Sequence, residues 1–372
     1  MKLILTVFLF FTTIGTGLSQ SVNAEFESDH QSNNSSEFPL KEGIVMVSQS
    51  SYQFGSADNQ VSIITPIDFA LSRDRTKLGA VRFDRSLNSE IYEYSGQQII
   101  QRELEFVDAT DETIMLSVLD NGEFIVRDNV ANFTFFDAAG NEGYSLSNAT
   151  QAPGGEQPSG LAWSSTGETV VLYNPVIQYD GARGSRVSVA VGDQETREIY
   201  NSSSSIINNL SVSENGSFIT IGSPGSGESS RINLIDRFGN KLLDLELDMD
   251  VAGVSVTLDA RYITVFSDNR VQVYRIADQE LLGSSTSTIR IIHAAYQPEE
   301  STIISIGGLI RNGSVNNPEI SAINLAQRQL DRHQLNGTIS MLSQADISIN
   351  RISAGTYRIE GINRPIEVSA SF

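Results

Sequence analysis

The 372-residue sequence has no cysteine, one tryptophan, three histidines and, among its 25 basic residues, only four lysines (Lys2, Lys41, Lys77 and Lys241). Without cysteine there can be no disulfide, thiolate metal site, cysteine nucleophile or lipid-bearing cysteine, so stability rests on burial and hydrogen bonding. The histidines, His30, His293 and His333, are too few and too scattered to build a multi-histidine metal centre. Basic residues are outnumbered by 45 acidic ones, giving a net charge of −20. A field of that sign repels phosphate backbones and argues against a nucleic-acid partner. The glycine-rich stretch at 222–227, GSPGSG, lacks the Lys-Ser/Thr pair of a nucleotide loop, and no G-x-S-x-G elbow occurs. No stretch has convincing helical periodicity except INLAQRQL near Ile323, which is ambiguous.

What is present begins with an address. Met1-Lys2, the apolar run LILTVFLFF and the small-residue ending Val22-Asn23-Ala24 predict a secretory signal peptide over 1–24. No later run approaches the length of a membrane span. Residues 25–40, polar and rich in Ser and Asn, read as a flexible lead-in, and 41–372 as a single domain. The predicted location is outside the cytoplasm, periplasmic or extracellular. Removal of Lys2 with the leader takes the net charge from −20 to −21.

The domain is written in repeats. LSVSENGSFITI at 210–221 alternates apolar residues on both sides of Asn215-Gly216, the pattern of strand, tight turn and strand. The same frame starts at Phe69, Leu116, Leu161, Val254, Ala294 and Ile339, at intervals of 47, 45, 49, 44, 40 and 45 residues. A period near 45 is that of four-stranded propeller blades. The second position of the frame is always small: Ala70, Ser117, Ala162, Ser211, Ser255, Ala295 and Ser340. Innermost strands crowd toward a common axis, which requires small side chains there, while positions one and three carry the bulk that meets the next blade. The reading is an all-β fold, a single seven-bladed β-propeller of four-stranded antiparallel blades. The N-terminal segments GIVMVS (43–48) and QVSIIT (60–65) are the expected strands for closing the ring against the last blade.

Third and fourth strands follow as INLID and KLLDLEL (232–236 and 241–247), FTFFD (133–137), VQVYRI (271–276) and TYRIEG (356–361). With Asp137 and Asp236 ending third strands, the chain resembles WD-repeat-like and YVTN-type bacterial β-propeller repeat proteins over roughly 44–372. Phe136 and Ile235 stand where the Trp of a Trp-Asp pair would be, and no Gly-His element accompanies them. The resemblance implies a binding platform, with enzymes a substantial minority of such folds.

Connections between second and third strands are long, as in 173–185, 222–230 and 308–319, and so are blade-to-blade links such as 148–160. Both emerge on the same rim, which is the expected recognition face. Tyr179, Asp180, Arg183 and Arg186 in one such segment and Arg311 in another are residue types favoured at protein interfaces. Asp68, Asn209 and His293 each precede a repeat frame, a position at the mouth of the central channel on that rim. The alternating Asp244, Glu246, Asp248 and Asp250 lie too far apart along one strand to cage a metal ion, and read as a charge-guarded outer strand. The sequons at Asn215 and Asn336 fall in hairpin turns, whose chemistry explains them.

The function expected is that of an exported, non-catalytic, monomeric binding module for protein or cell-envelope partners, with no cofactor and no metal. The alternative is a small-ligand site or enzyme at the channel mouth using Asp68, Asn209 and His293. A third possibility, an outer-membrane barrel suggested by Ile366, Val368, Ala370 and Phe372, leaves the 45-residue period unexplained. The charge yields a prediction: added salt screens self-repulsion and raises the thermal midpoint. A midpoint unchanged between low and high salt would remove the argument.

Overall fold

A computed structural model describes residues 36–371 apart from short stretches, chiefly 106–114, 128–132, 147–159 and 341–346; for 36–71 and 80–117 only the backbone path is described. The expected leader over 1–24 and most of the expected lead-in over 25–40 lie outside the described residues. The described chain is all-β, with a single 3-10 turn at Pro298–Glu300. Its strands form eight antiparallel sheets in chain order, six of them four-stranded. These are sheet 1 (from Ser36–Leu40 to Asn59–Ile64), sheet 2 (Pro66–Leu71 to Gln98–Glu105), sheet 3 (Met115–Val118 to Glu142–Leu146), sheet 4 (Gly160–Trp163 to Arg197–Ser202), sheet 5 (Asn209–Val212 to Lys241–Leu247), sheet 6 (Gly253–Val256 to Leu281–Thr286), sheet 7 (Ile291–Gln297 to Gln329–Gln334) and sheet 8 (Ser348–Ser353 to Ile366–Ser369). The fold is a propeller of consecutive up-and-down sheets.

The count of seven is not confirmed, because sheet 1 stands in addition to those that carry the repeat frames. Its strands at Gly43–Val47 and Asn59–Ile64 pair within their own sheet and do not complete the last one. Its first strand, Ser36–Leu40, falls in the stretch expected as lead-in and approaches Thr338–Ser340, a short strand attached to sheet 7. Six frames start in first strands as expected, but the seventh does not. Thr338–Ser340 pairs with Ser314–Asn316 of sheet 7, and the first strand of sheet 8 is Ser348–Ser353, followed by Thr356–Glu360. Apolar alternation alone cannot fix register between two nearby candidates. INLAQRQL resolves into strand Ser314–Asn324, a turn and strand Gln329–Gln334.

The core is a series of layers between consecutive sheets. Val171, Tyr173, Val187 and Val189 of sheet 4 meet Leu210, Ile219, Ile221 and Ile235 of sheet 5. Ile232, Leu234 and Leu243 of sheet 5 meet Ile263 and Val265 of sheet 6, and Phe266 and Val273 meet Ile291, Ala294 and Ile303 of sheet 7. Sheet 7 closes on Ile349, Tyr357, Ile359 and Val368 of sheet 8 in the same way. Near the axis the small residues allow close approach: the Ser255 hydroxyl donates to the Ala294 carbonyl of the next sheet at 2.8 Å, and Ser211 hydrogen-bonds Thr220 across its own hairpin.

The first-to-second-strand turns have a construction the frame only hints at. Its fourth position is a hydroxyl residue in four copies, and each accepts the N–H five residues on: Ser72 from Lys77 (3.0 Å), Ser164 from Thr169 (3.1 Å), Ser213 from Phe218 (2.9 Å) and Thr257 from Tyr262 (3.1 Å). A left-handed residue follows in every described turn of this class, from Gly122 (φ 89°) and Gly167 (φ 72°) to Ala260 (φ 51°), Ser301 (φ 50°) and Gly355 (φ 67°). A Cβ at Gly167 would overlap Leu119, and one at Gly216 would overlap Thr169. The turns therefore interlock from sheet to sheet. Asp137 and Asp236 earn their places in third-to-fourth-strand turns, each accepting two backbone N–H groups and the amide of Asn141 or Asn240.

Glu300 ties sheet 7 to sheet 8. Its carboxylate accepts from Arg351 Nε and the Gly355 N–H, both at 2.9 Å, and from the Tyr357 hydroxyl. Burial raises its pKa, but the Tyr357, Gly355 and Arg351 bonds outweigh it and hold the carboxyl below its ordinary 4.5. Burial and this same bond push the phenol up to about 12. A carboxylate with a depressed folded pKa stabilises above its unfolded value, and the contribution is lost as pH falls through the folded one. Glu300→Gln is expected to cost about 1–3 kcal/mol in urea unfolding at neutral pH. The deficit should shrink as pH drops below roughly 4.5, and a pH-independent deficit would contradict the assignment.

Candidate functional site

In up-and-down sheets, second-to-third-strand connections and links between sheets share one rim. Two of the segments expected there as loops are extensions of the sheets themselves. In sheet 4, Thr169–Tyr179 and Ala182–Val191 run as one long hairpin, paired to Tyr179↔Ala182 and closed by Asp180-Gly181 with Gly181 at φ 80°. In sheet 7, Thr302–Arg311 and Ser314–Asn324 do the same, paired to Arg311↔Ser314. The register shifts between Asn174 and Ile177 in the first arm and between Gly307 and Leu309 in the second, where each hairpin leaves its blade. The loop assignment for 173–185 and 308–319 is therefore corrected to β-hairpin arms. Asp-Gly between alternating residues is a strong hairpin signal, and Pro175 in the middle of the strand masked it.

The arms separate the predicted residues into two roles. Tyr179 donates its hydroxyl to Asn201 Oδ1 at 3.1 Å, and Arg186, 18% exposed, pairs with Glu198 at 2.6 Å. Both brace the first arm against the fourth strand of its own sheet. Asp180 and Arg183 are exposed near its tip, and Arg311 is exposed at the tip of the second. Sequence reading missed Val176 and Leu309, which lie at or beside the register shifts and are 42% and 49% exposed. Their signal is a break in alternation, visible only once the register is known.

Asp68, Asn209 and His293 occupy equivalent positions near the heads of first strands, opposite Val81, Gly222 and Ile306. His293 is half-buried, its ring edge-on to Phe266 of the preceding sheet at 5.7 Å between centroids. The same position in sheets 4 and 6 is glycine. Gly160 and Gly253 lie under the rings of Tyr173 and Phe266, which a Cβ would overlap. Burial pushes the Tyr173 phenol up to about 12. The described part of the mouth thus includes two aromatic rings laid over backbone.

The acidic strand of sheet 5 is matched by cations. Asp244 takes two 2.6 Å bonds from Arg231 and one of 2.8 Å from Lys241; Arg231 chiefly brings its pKa to about 2. Arg270 reaches Asp248 at 3.1 Å. On the opposite rim, the turn after Asp236 presents Phe238, 61% exposed, with the guanidiniums of Arg237 and Arg197 at 5.4 and 5.8 Å from its ring centroid. Nothing in the sequence repeat distinguishes that turn from its neighbours.

These features define an all-β propeller with two hairpin arms on one rim. No family model and no curated protein matches the chain. Among solved structures it is similar to one described as the eukaryotic initiation factor, at 9% identity and a TM-score of 0.54, covering 90% of this chain and 88% of that one. A KlHsv2 variant with loop 6CD replaced by a Gly-Ser linker (12% identity, 79% and 88% covered) and BamB from Moraxella catarrhalis (13%, 88% and 94%) each reach a TM-score of 0.46. At these identities the first likeness shows the fold alone, and the other two carry no argument. No described helix is long and apolar enough to cross a membrane.

The rings over glycine give a prediction. Gly253→Ala must displace Phe266 from its place in the sheet 6–sheet 7 core, and is expected to destabilise by about 1–3 kcal/mol. A thermal midpoint equal to that of the parent chain would show that the ring has room to move.

Proposed function

We propose that the chain is an exported, monomeric binding module, of the WD-repeat-like or YVTN-type propeller kind, that recognises a protein or cell-envelope partner through the rim carrying its two hairpin arms. The observation that supports this most directly is the construction of the arms. They are continuous with their sheets, braced by Tyr179–Asn201 and Arg186–Glu198, and expose Asp180, Arg183 and Val176 on one and Arg311 and Leu309 on the other. A rigid arm loses little entropy on binding, and arginine beside apolar surface is the usual composition of an interface centre. The chemistry is recognition without catalysis.

The test is affinity capture from an extract of the cell's own envelope with four versions of the mature chain. The doubly changed arm variant Arg183→Glu/Arg311→Glu is expected to lose at least about tenfold in captured partner, the effect of removing one interface anchor of moderate strength. Phe238→Ala on the opposite rim and His293→Ala at the mouth are expected to retain capture. Loss with His293→Ala and retention in the arm variant would favour the channel-mouth alternative with Asp68 and Asn209 instead.

A further inference from the structure

Three Asn-Gly steps lie among the described residues, and the fold treats one of them differently. At Asn121-Gly122 the amide oxygen accepts from the Glu123 N–H at 3.0 Å, and the glycine N–H donates to the Leu119 carbonyl at 3.0 Å. At Asn215-Gly216 the oxygen accepts from the Ser217 N–H at 3.1 Å and the Ser213 hydroxyl at 2.9 Å, and the glycine N–H donates to the Ser213 carbonyl at 2.8 Å. Both glycines are buried. Asn336-Gly337, in the link between sheets 7 and 8, has none of this. Both residues are exposed, no atom lies within 4 Å of a Cβ built on Gly337, and neither its N–H nor the Asn336 side chain hydrogen-bonds to the described residues. The step is nevertheless held at both ends, by the Leu335 N–H on the Pro318 carbonyl at 2.8 Å and by Thr338 paired with Asn316.

We infer that Asn336-Gly337 is a self-modification site, at which the folded chain converts asparagine to aspartate and isoaspartate while protecting Asn121 and Asn215. The Gly337 backbone nitrogen, giving up its proton to solvent base, attacks Asn336 Cγ; a C–N bond forms and the side-chain nitrogen leaves as ammonia. Water then opens the five-membered imide at one carbonyl or the other, giving aspartate or isoaspartate with no oxidation or reduction. Glycine permits ring closure because it has no Cβ to crowd the attacking nitrogen. At Asn121 and Asn215 that nitrogen must first leave a backbone hydrogen bond, and the amide must leave its turn.

The product adds a carboxylate beside Thr338–Ser340, the strand paired with Ser314–Asn316 of the second arm, and isoaspartate also lengthens the backbone there. The effect on partner binding rests on the recognition role proposed above; the reaction itself does not. Folded mature chain is incubated in mildly alkaline buffer, digested at intervals and mapped by mass and by isoaspartyl methyl-transferase labelling, in parallel with chain held in denaturant. In the folded chain position 336 is expected to convert faster than 121 and 215 by on the order of tenfold, the ratio one backbone hydrogen bond is worth at its upper end. In denaturant the three rates converge, and Asn336→Gln removes conversion at that position alone. Equal rates in the folded chain, or a difference that persists in denaturant, would overturn the inference. Because the readout is peptide mapping, its result stands whether or not the arm variants alter partner capture.

Discussion

Sheets that fan out around an axis must come closest at their inner ends, and the rest of this structure depends on how that crowding is relieved. Side chains at the second position of each repeat frame are no larger than serine, and the hydroxyl of Ser255 can therefore reach the backbone of the neighbouring sheet. A little farther along, the left-handed residue of one turn rests against the turn before it, as Gly216 does on Thr169. Cβ-free or compact residues at these two places let sheets approach until their apolar faces touch. Burial between sheets then supplies the stability that a chain without disulfides needs.

A core divided into layers has consequences for the rims. Each layer is formed by two neighbouring sheets, so a hairpin can lengthen beyond the layer without disturbing it. Sheets 4 and 7 do this, and each marks the departure with a register shift. The rim with tight turns is held differently, by Asx-type turns at Asp137 and Asp236 and by serine or threonine caps, which leave little freedom for insertion. One such turn still exposes Phe238 between two guanidiniums. The two rims thus present an adaptable face of arms and a fixed face of turns.

Much of this was legible in advance because strand pairing leaves a period-two trace and blades leave a period near 45. The third and fourth strands of sheet 5, INLID and KLLDLEL, fall where the pattern put them. The failures have physical causes. Two stretches near the C-terminus, ISMLSQADISI and SINRISAGTYRIE, alternate equally well, and which becomes the first strand of sheet 8 depends on contacts with sheet 7 such as Gln297 to the Ile349 carbonyl. The arms were mistaken for loops because Pro175 and several glycines carry turn chemistry that a bulge also uses. Val176 and Leu309 went unnoticed for the same reason, since an exposed apolar residue looks ordinary until its strand is known to leave the blade.

By itself the sequence determined the fold class, the repeat length, the small residues that face the axis and the short turns, because each of these is a local demand of backbone geometry and side-chain size. Only the tertiary structure decided that a further sheet precedes those carrying the repeat frames, which strand each C-terminal segment pairs with, and that Arg186 braces an arm while Arg183 stays exposed near its tip. Those outcomes turn on which surfaces meet across long sequence distances, and alternation along a strand carries no record of its partner.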